Sequence, residues 1–487
     1  MTGTSRRQLL GGGLALAGSW ALGACTASPV RPPTTTAPRP PAATPPVSPA
    51  PGRGIVEKTV RAAPATVDLG GIEVDTWAYT DTIPGLELRA TAGDLLRITL
   101  DNQLPADTTI HWHGIALPNG VDGVPGMTQD PVRPGQRFRY EFIAPDPGTY
   151  FFHPHVGVQL DRGLYAPLIV EDPAEPGGYD SEWVVVLDDW LDGTGRTPDE
   201  VYQQLTASPS ADPGGMDHAR MGAEPFGDAG DVTYPHYLIN GAVPASPVAF
   251  RGKPGERVRI RMINAASDTI FALALGDHTM TITHTDGFGV QHHETAALYI
   301  GMGERYDAIV TLGDGMFPLV AKPWGKEGQA MALIRTGSGT VPDPSVELAE
   351  FDRPILQGTD LRPTESSRLP ERQPDASATL ELGGQMNPYV WTINGSPFGQ
   401  NSPIEVSQGQ RLQLDVMNAT MMTHPVHLHG HTVALPNGLR KDTVLIPPMG
   451  TTALHLHASN PGVWAVHCHN IYHAEAGMMI ALQYRQN

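Results

Sequence analysis

The segment from His467 to Met478 carries three kinds of side chain that bind copper. It reads HCHNIYHAEAGM, and Cys468 within it is one of only two cysteines in the 487 residues. Two histidines flank Cys468, a third stands at position 473, and the segment ends on Met478. Thiolate, imidazole and a weak axial thioether are the ligands of a blue-copper electron-transfer site. The spacing therefore predicts copper redox chemistry at Cys468.

Cys468 and its two neighbouring histidines should serve different metal centres. Successive side chains of a β-strand point to opposite faces. In an extended tripeptide Cys468 faces one way, and His467 and His469 face the other. One tripeptide can then contact two centres and join them through covalent bonds. A purely structural role would not call for this alternation.

Four histidine pairs of the form H-x-H predict a second metal site. In a strand both imidazoles of such a pair project from one side. Eight converging imidazoles are too many for one ion, and they suit three coppers, two with three imidazoles each and one with two. The pairs are His111 and His113, His153 and His155, His427 and His429, and His467 and His469.

His424 belongs to the other site. Pro425 would bend the chain directly after it, so that it need not share a face with the pair that follows. It would complete the site on Cys468, whose remaining ligands are His473 and Met478. The two sites together use ten histidines.

The chain repeats one strand pattern three times. Residues 93–102, 255–264 and 409–418 each begin with Gly, end with Asn and alternate apolar with polar residues, as half-buried strands do. H-x-H pairs follow the first and third copies at matching spacing, whereas the second has Leu273 and Leu275 in the corresponding positions. The metal should therefore lie between the first and third domains, with the second acting as a spacer.

The composition favours many short strands joined by turns. Glycine (54) and proline (47) make up about a fifth of the chain, and aromatic residues are modest in number. The formal net charge of −19 argues against nucleic acid as a partner. It suits cationic substrates or simple solubility. Two cysteines exclude a disulfide framework.

The N-terminus predicts export and a tether. Arg6 and Arg7 form a twin-arginine start, followed by an apolar, glycine-rich run too short for a stable membrane span. Residues 22–25 (LGAC) have the form of a lipobox with Cys25 as the acylated residue, and an ordinary cleaved leader is the alternative. The Pro-, Thr- and Ala-rich residues 26–54 should form an extended linker. We expect a protein exported already folded to the periplasm or the outer face of the cell membrane, with Cys25 as a lipid anchor.

Four motifs resemble the copper motifs of multicopper oxidases. Their order and spacing resemble the three-domain, laccase-like branch, which includes exported bacterial copper-resistance oxidases. The resemblance covers the chain from about residue 55 to the end. It implies an all-β fold of three consecutive cupredoxin-like Greek-key β-barrel domains. The motifs are HWHG at 111–114, HPH at 153–155, HPVHLHGH at 424–431 and HCHNIYHAEAGM at 467–478.

The resemblance also implies ligand assignments and domain limits. Four copper ions would be bound. The type 2 copper would be held by His111 and His427, and the type 1 copper by His424, Cys468, His473 and Met478. Of the two type 3 coppers, one would be held by His113, His153 and His469, and the other by His155, His429 and His467. The first and third domains would share the trinuclear cluster, and the third would hold type 1. The predicted divisions are a signal at 1–25, a linker at 26–54, and domains at 55–172, 173–345 and 346–487.

The function that the resemblance implies is an oxidase. A reducing substrate would give one electron at a time to the type 1 copper, and four electrons would reduce O₂ to water at the trinuclear cluster. The substrate stays open between Cu(I) or Fe(II) and phenols or aromatic amines, with a role in copper resistance among the options. Residues 341–376 contain no methionine, which argues against a dedicated Met-lined Cu(I) channel there. We expect a monomer.

Three carboxylates are candidates for catalytic roles. Asp122, nine residues after His113, resembles the family acid that relays protons to the cluster, and a turn Asp before Gly is the alternative. Asp442 resembles an acid near the rim of the type 1 site that contacts substrate, with an exposed loop charge as the alternative. Some copper-oxidising relatives carry an acid directly after the type 1 histidine. Ala474 stands there in this chain, and Glu475, one residue later, is the candidate relay on that side.

Other residues and functions are weaker candidates. Met216, His218 and Met221 could hold Cu(I) or form an ordinary loop. His455 and His457 form a fifth H-x-H, which we interpret as one polar face of a strand. A cupredoxin nitrite reductase would need only one type 1 and one type 2 copper. An exported copper-binding or storage protein without turnover is the alternative from another class, and O₂ uptake separates it from an oxidase.

Overall fold

The computed structural model describes four parts of the chain: Pro49 and residues 51–175, 177–207 and 224–485. Contacts group Ala43–Asn487 into a single unit that contains all of them. No helix within these ranges is long and apolar enough to cross a membrane. Several residues singled out above lie outside the described ranges: Arg6, Arg7, Cys25, Met216, His218 and Met221.

Eight strands are described between residues 55 and 171: Ile55–Asp68 (β1), Glu73–Tyr79 (β2), Leu88–Thr91 (β3), Leu95–Asn102 (β4), His111–His113 (β5), Arg137–Ile143 (β6), Gly148–His153 (β7) and Ala166–Glu171 (β8). They form two four-stranded sheets, in the orders β2-β1-β4-β6 and β3-β8-β7-β5. Trp112 of the second sheet packs on Phe142 of the first, with ring centroids 4.9 Å apart. The core of this region therefore lies between the two sheets.

Eleven strands are described between residues 181 and 335: Ser181–Trp190 (β9), His236–Ile239 (β10), Ala249–Arg251 (β11), Arg257–Asn264 (β12), Phe271–Leu275 (β13), Met280–Thr285 (β14), Phe288–Thr295 (β15), Ala297–Ile300 (β16), Arg305–Thr311 (β17), Met316–Pro323 (β18) and Ala330–Arg335 (β19). A six-stranded sheet has the order β10-β9-β12-β17-β14-β15. A five-stranded sheet has the order β11-β19-β18-β13-β16.

The strands from residue 376 onward repeat this arrangement: Ala376–Met386 (β20), Tyr389–Ile393 (β21), Ile404–Val406 (β22), Arg411–Asn418 (β23), His424–Leu428 (β24), Val433–Ala434 (β25), Arg440–Lys441 (β26), Thr443–Ile446 (β27), Thr451–His457 (β28), Val463–Cys468 (β29) and Met479–Tyr484 (β30). The sheets have the orders β21-β20-β23-β28-β25-β26 and β22-β30-β29-β24-β27. Residues 55–171, 181–335 and 376–484 thus each contribute one pair of sheets. The limits between the predicted domains stay a prediction.

Helices are few and short in the described residues. The α-helices are Pro198–Ala207 (α1) and Ile471–Glu475 (α2), and the 3₁₀ turns are Asn119–Val121, Gln159–Arg162, Ala349–Asp352, Gly358–Asp360 and Glu365–Ser367. Asn470 caps α2, because its side-chain oxygen accepts hydrogen bonds from the backbone N–H groups of Tyr472 and His473. The cap fixes the direction in which the chain leaves Cys468.

The three sequence repeats occupy equivalent strands. β4, β12 and β23 each pair in parallel with the first strand of their sheet, which is β1, β9 and β20 respectively. Each also pairs antiparallel with one later strand, β6, β17 or β28. The repeated pattern therefore marks the same structural element three times.

The Asn that ends each repeat has a structural role. Asn102, Asn264 and Asn418 are fully buried. Each side-chain oxygen accepts a hydrogen bond from the N–H two residues later, at 2.9 Å. Each side-chain amide donates to at least two backbone carbonyls of nearby segments. Because each such hydrogen bond contributes on the order of 1 kcal/mol, the residue locks the turn that follows the strand.

Candidate metal centre

Two antiparallel strand pairs align the H-x-H motifs. β5 pairs with β7, which places His111 opposite His153. β24 pairs with β29, which places His427 opposite His467. The two strand pairs face each other, because Nε2 of His111 lies 3.4 Å from Nε2 of His427. Histidines that are hundreds of residues apart in the chain therefore meet in one place.

The eight predicted histidines form three groups. Within each group the ring nitrogens lie within 4.8 Å of one another. Nε2 of His467 lies 2.9 Å from Nε2 of His429 and 3.4 Å from Nε2 of His155. His155 is half-buried and the other seven are buried. The groups are His111, His113 and His427; His113, His153 and His469; and His155, His429 and His467.

Buried ring nitrogens without a protein partner show that one group fits a metal ion. Nδ1 of His113, Nε2 of His153 and Nε2 of His469 are buried and have no hydrogen-bond partner. A buried polar atom left unpaired costs about 1–3 kcal/mol, so three in one group fit a site that binds a metal ion. Imidazole is a good copper ligand. The donor set therefore fits copper.

The cavity also favours the neutral imidazoles that metal binding requires. Burial, with added repulsion from neighbouring rings, lowers the pKa of these histidines well below the usual value: His113, His153, His155, His427, His429 and His469. Burial lowers the pKa of His467 to about 4. Neutral rings keep a lone pair available for a metal.

Outer ring nitrogens are held by fixed acceptors, which sets the tautomer of each ring. Nδ1 of His111 donates to the backbone carbonyl of Asp122 at 3.0 Å. Nδ1 of His429 donates to Oδ2 of the same residue at 2.9 Å. Nδ1 of His427 donates to the carbonyl of Asp442 at 2.9 Å. The remaining nitrogen of each ring then points into the group.

The expected position of Asp442 is wrong. Its side chain is fully buried, so it is neither at a substrate-accessible rim nor an exposed loop charge. Nε2 of His113 donates to Oδ1 of Asp442 at 3.0 Å. The two Asp442 oxygens accept from Nη1 and Nη2 of Arg305, each at 2.6 Å. Asp442 thus joins a buried arginine to the histidine groups.

The region 181–335 is more than a spacer. Its described residues, 181–207 and 224–335, include none of the grouped histidines, but Gly303 lies against two of them. A Cβ at Gly303, whose φ is +82°, would stand 2.9 Å from Cδ2 of His469 and 3.0 Å from Cε1 of His113. Only glycine fits there, because it lacks a Cβ and tolerates positive φ. With Arg305, this turn forms part of the wall of the site.

A fourth group surrounds Cys468. Nδ1 of His424 lies 3.6 Å from its Sγ, and Nδ1 of His473 lies 3.7 Å from it. The two nitrogens are 3.2 Å apart. Burial raises the pKa of the Cys468 thiol, and the N–H of Asn470, which donates to the sulfur, opposes that shift. A bound cation would hold the thiolate form instead.

Neighbours fix the two histidines of this group from outside. Nε2 of His424 lies 2.8 Å from Oγ1 of Thr420. Nε2 of His473 donates to Oδ2 of Asp231 at 2.9 Å. The ring of Trp391 stacks on the His473 ring, with centroids 3.9 Å apart. The sequence gives no sign of these partners, because Asp231 and Trp391 belong to no motif.

The other described residues that the sequence singled out are Met478, Glu475, His455 and His457. Met478 is buried, and its backbone carbonyl accepts from the N–H of Cys468 at 3.0 Å. Glu475 is exposed at the end of α2, and it joins none of the metal-ligand groups. This placement argues against a relay from Glu475 to the cluster. His455 and His457 lie on β28, also apart from the groups.

Comparison with known proteins identifies the class of protein. The chain belongs to the multicopper oxidase family, whose models match residues 61–175, 181–339 and 371–487. Multicopper oxidase MmcO of Mycobacterium tuberculosis is 44% identical, covering 99% of this chain and 96% of its own length. A copper resistance protein A homolog of Pseudomonas syringae pv. tomato is 29% identical, covering 81% and 87%.

Solved structures show the same fold. The multicopper oxidase from Pseudomonas thermotolerans has a TM-score of 0.68 and 26% identity, covering 88% of this chain and 99% of its own. The laccase from Botrytis aclada has a TM-score of 0.74 at 24% identity, covering 88% of each chain. The predicted all-β fold of three cupredoxin-like domains is confirmed.

The predicted class of enzyme is also confirmed. The protein is a copper oxidoreductase that couples oxidation of a reducing substrate to reduction of O₂, with four coppers as cofactors. Relatives include laccases and copper resistance proteins. A copper-storage protein without turnover does not fit this family membership.

Proposed function

We propose that the four groups bind the coppers as the motifs imply. His111 and His427 would hold type 2, and the six remaining cluster histidines the type 3 pair. His424, Cys468, His473 and Met478 would hold type 1. The grouping of the histidine nitrogens and the Cys468 sulfur within 4.8 Å in each group carries the proposal, and Met478 is assigned from its motif.

The chain links the two centres covalently. When bound, the coppers supply the one-electron and O₂ chemistry. Cys468 lies in the type 1 group, while His467 and His469 lie in two different groups of the cluster. The alternation along β29 therefore spans both centres within one tripeptide. The segment from His424 to His429 also contributes to both, with His424 in the type 1 group and His427 and His429 in groups of the cluster.

Asp122 is proposed as the acid that moves protons at the cluster. Its side chain is fully buried. Oδ2 accepts from Nδ1 of His429 at 2.9 Å, and Oδ1 lies 3.2 Å from Nδ1 of His111. One carboxylate therefore touches a ligand of type 2 and a ligand of type 3, where it also fixes both rings.

Cu(I) is the substrate that the surface supports best. Exposed side chains in the described residues include Met417 (39% exposed), Met421 (44%) and Met449 (65%). Met417 lies on β23. The loops that carry Met421 and Met449 are joined, because the N–H of Met449 donates to the carbonyl of Thr420 at 3.2 Å. Thioethers select Cu(I) over harder cations. These methionines do not come from residues 341–376, where a Met-lined channel was not expected.

The methionine loops adjoin the type 1 group. Thr420 precedes Met421 in the chain, and its Oγ1 lies 2.8 Å from Nε2 of His424. An electron delivered at Met421 therefore needs to cross only one residue and one hydrogen bond to reach the His424 ring. The copper resistance proteins among the relatives agree with this substrate.

A Met421→Leu/Met449→Leu double variant should lose Cu(I) oxidation selectively. Leucine keeps the size but removes the thioether, so kcat/KM for Cu(I) should fall at least roughly tenfold, the equivalent of about 1.4 kcal/mol. The rate with a phenol should stay unchanged. Steady-state O₂ uptake with both donors measures this. Met316→Leu on β18 is the matched control. Equal losses for both donors, or none, would contradict the assignment.

Export and tethering are proposed from the N-terminal residues. The twin-arginine pair Arg6 and Arg7, the lipobox ending at Cys25 and the polar linker support a folded, exported protein on the outer face of the cell membrane. The acidic charge of −19 supports a protein that does not bind nucleic acid. We further propose a monomer, because all twelve ligands come from one chain.

Cys25→Ser tests the tether. Without the thiol no acyl chain can be attached, so the protein should move from the membrane fraction to the soluble extracytoplasmic fraction. Copper content and colour should stay the same, because Cys25 is not among the ligands. Cell fractionation with an antibody against the folded part measures this. An unchanged distribution would favour an ordinary cleaved leader.

A further inference from the structure

Five charged side chains are buried behind the histidine groups, where regions 181–335 and 376–484 meet. They are Asp286, Glu304, Arg305, Lys441 and Asp442, each at most 2% exposed. Asp442 reaches the histidines, as described above. The other four have no part in the copper chemistry considered so far.

The five side chains form a continuous chain of ion pairs. Nζ of Lys441 lies 3.0 Å from Oε1 of Glu304 and 3.1 Å from Oδ2 of Asp286. Nη1 of Arg305 lies 3.5 Å from Oδ1 of Asp286 and donates to Oδ1 of Asp442 at 2.6 Å. Charge at Glu304 is therefore felt at Asp442, and through it at the ring of His113.

This set contains three carboxyl groups and only two cations. In a buried cluster an unbalanced charge is costly, which favours a proton on one carboxyl group. Asp442 accepts hydrogen bonds from both Nη atoms of Arg305. Asp286 has both cations nearby and accepts from the N–H groups of Arg305, Asp442 and Thr443. Glu304 has Lys441 alone among the cations, which makes it the carboxyl group that takes the proton.

Two further contacts favour the ionised form of Glu304, whereas its burial favours the protonated form. Its Oε2 accepts from the N–H of Gly301 at 2.7 Å, and its Oε1 accepts from the hydroxyl of Tyr306 at 3.0 Å. Burial, with a contribution from Asp286 that opposes Lys441, raises its pKa. On the 3₁₀ turn Gly358–Asp360, the Asp360 carboxylate accepts a hydrogen bond from the N–H of Gln357. No further cation faces Glu304 among the described contacts.

A cleft connects Glu304 to solvent. It has a volume of about 70 Å³, and its lining includes Glu304, Lys441 and Tyr299. Thr359 and Pro447, which also line it, are exposed. Buried charged groups therefore form the inner end of the cleft, and exposed residues form its mouth.

We propose that Glu304 is a positioning residue that takes up a proton from solvent through this cleft and thereby sets the pH dependence of O₂ reduction. Its carboxylate gains a proton from water in the cleft and returns it there, so only an O–H bond forms and breaks. Glu304 acts through Lys441, Asp286, Arg305 and Asp442. This inference rests on the copper positions proposed above.

The sign follows from charge. The reaction O₂ + 4e⁻ + 4H⁺ → 2H₂O needs four electrons that must first enter the cluster, and ionised Glu304 would oppose that entry because it adds negative charge to the ion-pair chain behind the cluster. Turnover should therefore fall as the pH rises through the Glu304 pKa. Neutral Glu304→Gln should keep the low-pH rate across that range. Glu304→Asp should keep a falling limb but shift its midpoint.

The test combines a pH profile with infrared spectroscopy on the copper-loaded enzyme. Difference spectra between two pH values should show the carbonyl stretch of a protonated carboxyl group, absent in Glu304→Gln. The buried Glu350, whose Oε1 accepts from the N–H of Asp277, gives the matched control Glu350→Gln. This control should keep the band and the falling limb of the pH profile.

The outcomes separate this inference from the copper assignment. Glu304→Gln should bind as much copper as the wild type and stay blue. An unchanged band and an unchanged falling limb in Glu304→Gln would overturn the inference. So would a Glu304→Asp profile that is lowered at every pH without a shifted midpoint, which indicates a structural role. A wild type that fails to bind four coppers would overturn the proposed sites instead.

Discussion

A Cys468→Ser variant should lose its blue colour and more than about 100-fold of its turnover while it keeps its fold. Replacing an outer partner of a metal ligand already costs about 10–100-fold, and Cys468 is proposed as the ligand itself. The serine hydroxyl stays protonated at neutral pH and cannot replace the thiolate. Visible absorption, O₂ uptake and circular dichroism measure the three expectations.

The second cysteine supplies the matched control. Cys25→Ser makes the same chemical change outside the copper sites and should stay blue and active. Copper analysis of Cys468→Ser should find the three cluster ions retained, because their histidine ligands are untouched. Turnover retained by a colourless Cys468→Ser protein would contradict the proposed covalent connection to His467 and His469.

The grouping of the proposed metal ligands could be predicted from sequence because the spacing within each motif restricts where its side chains lie. An H-x-H pair projects both rings from one side of any strand, whatever surrounds it. The strand β29 then places Cys468 in one group and His467 in another. The repeated Gly-to-Asn strands were equally visible, because each repeat makes the same local hydrogen bonds after its Asn. Local spacing was therefore enough for these residues.

Asp442 shows where sequence reasoning stops. Its partner Arg305 lies 137 residues away, in the region that was predicted to be a spacer. A loop-like motif, Lys441-Asp442-Thr443, gives no sign that it will be buried, since burial depends on how two regions pack. Arg305 begins the strand β17 and is fully buried there. A buried arginine needs an acidic partner, but only the packed structure shows which one.

Gly303 illustrates the same limit for the second region. The region has no H-x-H pair, from which we predicted that it supplies no ligands, but contact with the cluster needs no ligand. The backbone at Gly303 approaches His113 and His469 because no side chain intervenes. One glycine among the 54 in the chain carries no signal of this role. Contacts between distant segments are thus the part of the site that the sequence leaves open.

His111→Ala should stop O₂ reduction while it spares the blue colour. His111 belongs to the group with His113 and His427, and it is absent from the group around Cys468. Removing its ring should release the proposed type 2 copper and reduce turnover by more than about 100-fold, since it removes a direct ligand. The type 1 site should still accept an electron, so the substrate should bleach the blue colour. The colour should not return in air.

His455→Ala is the matched control, because it removes a histidine of another H-x-H pair that joins none of the described groups. Copper analysis and stopped-flow absorption distinguish the variants: about three ions and a persistent bleached state for His111→Ala, and wild-type values for His455→Ala. Simultaneous loss of colour and activity in His111→Ala would show that the two centres are not independent. Reoxidation at the normal rate would show that O₂ reacts without the type 2 site. Because the Cys468 group is separate from the histidine groups, an electron that enters the type 1 copper of His111→Ala should stay there, since the disrupted cluster cannot pass it to O₂.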